Sequence, residues 1–139
     1  MRVVSDDRDR RLLLVKESGE SSLVRDPESG ETEYLPNDRL SALDGQSPLA
    51  AAAGAVPEAV RALATAVRDE RTLGLLVELD DRGPLAVRTV MREYDLCESD
   101  VHGALLEFRA AGLVEETEVA GERGYELSAV GRDALDAVR

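Results

Sequence analysis

The fold turns on residues 96–114, Leu96-Cys97-Glu98-Ser99-Asp100-Val101-His102-Gly103-Ala104-Leu105-Leu106-Glu107-Phe108-Arg109-Ala110-Ala111-Gly112-Leu113-Val114. Val101, Ala104, Leu105 and Phe108 stand at i, i+3, i+4 and i+7, which is one apolar stripe on a helix. Gly112 falls where a helix ends in a left-handed residue. Leu113 and Val114 then open a β pattern. The stretch predicts a helix to residue 111, a tight stop and a strand.

Upstream, the same period recurs three times. Residues 57–69 carry Val60, Leu63, Ala64 and Val67 behind Pro57, and residues 70–80 carry Leu73, Leu76, Val77 and Leu79. Asp81-Arg82-Gly83 breaks the second helix. Pro84 is expected to open a third, with Leu85, Val87, Val90, Met91 and Tyr94 on its stripe. Downstream, residues 113–119 and 125–127 alternate as two strands around Ala120-Gly121-Glu122-Arg123-Gly124. Ser128 is placed to cap a closing helix bearing Val130, Ala134, Leu135 and Val138.

The first 36 residues have a different grain. Short β-favouring runs at 3–5, 11–18, 21–25 and 31–35 are separated by polar turns, of which Asp26-Pro27-Glu28-Ser29-Gly30 is the clearest. They predict a small antiparallel meander whose thin apolar content needs something to pack on. Residues 37–56 read as a connector with helical pieces: Asn37 caps a turn through Leu43, and Ser47-Pro48 opens a short helix ended by Gly54. The expected architecture is α+β, with a meander at 1–36, a connector at 37–56 and a mostly helical domain at 57–139.

Helix, helix, turn, helix and hairpin is the order of a winged helix-turn-helix. The 96–114 stretch resembles the recognition-helix signature of ArsR/MarR/PadR-type regulators, with a small polar opening, Val, Leu four residues on, and a close as Ala-Gly-Leu-Val. The Leu127-Ser128-x-x-Gly131-Arg132 start of the last helix matches as well. The resemblance spans residues 70–135 and implies a fourth helix in the major groove, with base edges met at Glu98, Ser99, Asp100, His102, Gly103 and Leu106. Of these, only Ser99 and His102 are conventional readers; Glu98, Asp100, Gly103 and Leu106 depart from the donor side chains usual there. Arg88 and Arg92, four apart on the outer face of the third helix, are expected at phosphates. Arg123 is expected at the wing tip. The expected DNA-binding set is therefore Arg88, Arg92, Ser99, His102, Gly103 and Arg123, on double-stranded DNA, as a homodimer formed through the 57–69 and final helices.

Each of these residues also has a plainer role. Asp100 suits a first-turn acid facing the helix dipole, His102 a solvated helix position, and the arginines surface ion pairs with Glu93, Asp95 or Glu122.

Charge runs against the resemblance. The chain of 139 residues has 29 Asp and Glu against 17 Lys and Arg, a net charge of −12. Residues 57–139 alone hold 18 acidic and 10 basic groups. Two carboxylates, Glu98 and Asp100, sit where readers normally donate. A winged-helix module that binds a protein instead of DNA is the competing expectation, and the meander offers a second partner surface. Scarce Lys with abundant acid and few large aromatics looks like a cytoplasmic protein of a salt-loving organism; a GC-rich genome with an ordinary acidic surface gives the same counts. At ~1 M salt the screening length falls to about 3 Å, so local geometry outweighs net charge there.

Other chemistries are excluded by composition. One Cys and one His make neither a disulfide nor a zinc site. No glycine-rich phosphate loop or dinucleotide fingerprint occurs. Cys97 is expected partly buried at a small cap position, with a redox role as the alternative. No enzyme activity, cofactor or metal is expected. Nor is a membrane span, and the early charges at Asp6-Asp7 argue against a secretory signal.

Overall fold

The computed structural model describes residues 1–139, and the chain divides into two units, Met1–Pro57 and Glu58–Arg139. In the first, β1 (Arg2–Ser5), β2 (Arg11–Lys16), β3 (Ser21–Arg25), β4 (Thr32–Pro36) and β5 (Ser41–Ala42) form an antiparallel sheet in the order β4-β3-β2-β1-β5. Alternation sorts its apolar side chains onto two faces. Val4, Leu12, Leu14, Val24 and Leu35 form one buried cluster, while Val3 and Leu13 pack with Ala51 of α1 (Pro48–Ala53) in another. That helix starts as expected, with Ser47 Oγ accepting from the Ala50 amide.

The stretch 37–56 does more than connect. Ser41–Ala42 joins the sheet as an edge strand on β1, and α1 supplies part of a core. Asn37 does not cap a turn to Leu43. The 3-10 turn covers only Asn37–Arg39, and the Asn37 side chain accepts from Ser22 Oγ at 2.6 Å and donates to the Ser18 carbonyl at 2.7 Å. In the β1–β2 turn, the buried Asp6 carboxylate accepts from the Arg8 and Arg10 amides at 2.9 Å and from Arg10 Nε at 2.7 Å. Burial alone would raise its pKa; the Arg10 and Arg8 donors outweigh that and hold it below the usual carboxylate range.

The second unit contains α2 (Glu58–Ala66), α3 (Glu70–Arg82), β6 (Leu85–Ala86), α4 (Val87–Tyr94), α5 (Glu98–Ala110), β7 (Val114–Val119), β8 (Glu122–Leu127) and α6 (Ala129–Val138). Asp69 caps α3 in a reciprocal box with Thr72. A two-residue strand, β6, occupies what the Pro84 signal assigned to the start of the third helix. It pairs with β8 through Leu85↔Tyr125 and Ala86↔Gly124, giving a sheet ordered β6-β8-β7. The helix begins only at Val87.

One core joins all of these elements. Val101, Phe108 and Leu113 are wholly buried, with Leu76, Leu105, Val90 and Leu135 close behind. The α2 and α6 stripes meet each other in this core through Leu63, Ala66, Ala134 and Leu135. Of the final helix's predicted stripe, Val130 and Val138 stay exposed. No helix is long and apolar enough to cross a membrane.

Candidate nucleic-acid interface

The corner between α4 and α5 is set by Asp95, which ends α4 in the left-handed region at φ 51°. Aspartate is among the few residues that accept this conformation without glycine's freedom. Cys97 follows at the N-cap of α5, exposed and without a capping hydrogen bond; its Sγ lies 3.3 Å from Ser99 Oγ. The expectation of a partly buried thiol is not met, because the cap position faces solvent.

From there α5 is mounted by one face. Val101, Leu105 and Phe108 are held in the core, and Glu98, Ser99, Asp100, His102, Gly103, Leu106 and Arg109 stand exposed. The structure therefore brings Ser99, His102 and Gly103 onto one open surface. His102 Nε2 lies 3.6 Å from Glu98 Oε1, one turn back. A Cβ on Gly103 would meet nothing within 4 Å, so the helix backbone is approachable there. Leu106 is 66% exposed on the same helix, a large apolar side chain in open water.

Arg88 and Arg92 lie on the exposed side of α4, whose other side buries Val87 and Val90. The β6–β8 pairing draws the start of β8 beside α4, and Arg88 Nη1 comes 3.4 Å from Glu122 Oε1. Arg92 makes no hydrogen bond or ion pair. Glu93 is taken by Arg82, whose guanidinium donates to it at 2.6 Å and holds its carboxyl below the usual range.

Arg123 is not at the wing tip. The tip is the two-residue turn Ala120-Gly121, both at positive φ (51° and 82°), as in a type I′ hairpin. Arg123 lies in β8 opposite Glu118, and its guanidinium rests over the Tyr125 ring, 5.7 Å from the centroid. Nη2 donates to Tyr125 Oη at 2.9 Å, and Nε forms an ion pair with Glu116 Oε1 at 3.0 Å. The other oxygen of Glu116 receives Arg109 Nη1, also at 3.0 Å. Gly124 is required beside it, since a Cβ there would lie 2.6 Å from the Leu85 carbonyl oxygen.

Sequence reading missed Arg109, Glu116 and Tyr125 as a group. Arg109 lies in the last turn of α5 and Glu116 inside β7, so only the folded hairpin brings them together. It also missed a cleft of about 270 Å³ between the α2–α3 junction and α5. Arg68, Arg71 and Thr72 line one wall and Ser99, Asp100 and Gly103 the other.

A family model described as "Family of unknown function (DUF7346)" matches residues 1–139. No curated protein matches the chain. Among solved structures, a crystal structure described as an ArsR family transcriptional regulator is similar at 18% identity and a TM-score of 0.46. The match covers 58% of this chain and 82% of that one.

Proposed function

The chain belongs to the DUF7346 family, whose function is unknown, and from its own residues we propose that it is a DNA-binding transcriptional regulator. One observation carries the reading: α5 is clamped by Val101, Leu105 and Phe108 while its N-terminal half stands exposed, as do Arg88 and Arg92 of the preceding helix α4. A helix held rigidly on one side and free on the other suits insertion into a major groove. In this reading Ser99 and His102 face base edges and Gly103 admits close backbone approach. Arg88, Arg92 and Arg123 neutralise phosphates. A homodimer, with Val130 and Val138 of α6 available to a second copy, would set half-sites one helical turn apart.

Arg92 is the most informative position because no carboxylate holds it. Arg92→Ala is expected to weaken binding to a duplex from the gene's own upstream region by about tenfold. The salt slope should become shallower by about one. Arg88→Ala should cost less, since Arg88 first has to leave Glu122. Fluorescence anisotropy between about 50 mM and 1 M KCl reads both. Absence of binding throughout that range, by the wild type and by its Glu116→Gln variant alike, would end the DNA reading.

Exposed Leu106 supports a second reading, a protein partner seated on α5. Leu106→Ala would abolish such a complex by removing its apolar anchor, while in the DNA reading it costs the duplex far less than Arg92→Ala, because it removes no charge.

A further inference from the structure

We infer that Arg109, Arg123 and Tyr125 form an anion site suited to a nucleic-acid backbone phosphate, and that the Glu116 carboxylate fills it in the free protein. The inference rests on the DNA reading above and adds residues to it. Two guanidinium groups, one from the last turn of α5 and one from the wing, converge on a single carboxylate, each at 3.0 Å. Two cations are drawn together in this way only around an anion. Arg123 is held independently, by its bond to Tyr125 Oη and by the ring beneath it. Its direction is thus set without Glu116.

The exchange is chemically easy. The Arg109, Arg123 and Glu116 side chains are 54%, 54% and 39% exposed, so their ion pairs are solvent-screened and weak. Each guanidinium has five N–H donors, of which Arg109 spends one on Glu116 and Arg123 spends one on Tyr125. A phosphate offers the same geometry as the carboxylate with more acceptor oxygens. When phosphate arrives, the Glu116 side chain swings away and the two arginines close on the new anion; no covalent bond changes. Arg88 and Glu122, 3.4 Å apart, repeat the theme at the other side of the wing. The acidic residues therefore hold the phosphate-binding arginines in the free protein and lower affinity for DNA at low salt.

The test compares wild type, Glu116→Gln and Glu115→Gln on a labelled duplex of about three helical turns, across about 50–200 mM KCl. Glu115 is the charge-matched control: it is exposed, next in sequence, and pairs with no arginine. Glu116→Gln should bind about tenfold tighter at the low-salt end, with a salt slope steeper by up to about one, because in the wild-type complex the displaced Glu116 carboxylate takes up a cation that offsets part of the counterion release. Glu115→Gln should leave the slope unchanged. If wild type binds and Glu116→Gln gains nothing, or the control gains as much, the masked site is overturned while the DNA reading stands. If wild type fails to bind and Glu116→Gln binds, the mask is confirmed. If neither binds, the DNA reading fails and takes the site with it. Arg109→Gln, which leaves the Arg123–Tyr125 contact in place, is a second variant and should make the wild-type slope shallower by about one.

Discussion

Phe108→Ala is expected to cost the Glu58–Arg139 unit about 4 kcal/mol, the range for removing a wholly buried Phe from a close-packed core. Phe108 is the sole phenylalanine of the chain and sits in the cluster joining α3, α5, the hairpin and α6. The cluster it shares is built largely of branched or small residues, among them Leu76, Leu105, Val101 and Ala134, which collapse only partly into such a cavity. Domains are stable by only about 5–15 kcal/mol, so the variant should melt far below wild type and release α5 from its mount. A thermal unfolding curve checks this. A midpoint within a degree or so of wild type would mean that α5 is not anchored as described.

The second large effect is a sign reversal at two glycines, both inside helices. Alanine usually stabilises a helix interior relative to glycine by about 0.5–1 kcal/mol. At Gly131, in the first turn of α6, a Cβ would lie 2.2 Å from the Leu113 carbonyl oxygen and 3.1 Å from Leu127 Cδ2. The first is backbone and cannot rotate away. That same carbonyl accepts from the Ser128 amide at 3.0 Å, while Ser128 Oγ accepts from the Gly131 amide and donates to the Gly112 carbonyl. Alanine would wedge α6 off the base of the hairpin and break this network, at a cost of about 2–3 kcal/mol or more. Gly103→Ala, on the open side of α5, should instead stabilise by about 0.5–1 kcal/mol. Urea titrations of both variants test the contrast. Equal shifts in one direction would contradict the packing described around Gly131.

Where the sequence was legible, the signal was local. The α5 stripe needed only four apolar residues at helical spacing and a glycine after them, and all four pack inward. The α1 and α6 starts needed only a serine at the cap. What escaped was set by distant partners. Leu85–Ala86 is too short to show a period and is a strand only because Tyr125 and Gly124, some forty residues on, lie beside it. Ser41–Ala42 is likewise a strand by virtue of β1 alone. The wing tip was misplaced because Gly-Glu-Arg-Gly looks like loop, whereas the actual turn puts an alanine at positive φ, which no composition rule favours. That shift of two residues moved Arg123 from an unattached tip to the side of Tyr125 and Glu116.

The acidity that opposed a nucleic-acid role has a specific layout in the fold. Arg88, Arg109 and Arg123 are each held by a wing carboxylate, and Arg92 of α4 is not. The charge of the second unit therefore acts at named contacts, and single neutral substitutions can reveal it.

The most direct test of the DNA-binding proposal is a map of backbone amide shifts of the isotope-labelled full chain as the upstream duplex is added. The largest changes are expected on Arg88, Arg92, Ser99, His102, Gly103 and the Glu116–Arg123 wing, with little movement in the Met1–Pro57 sheet. Changes confined to that sheet, or none at saturating duplex, would contradict the proposal.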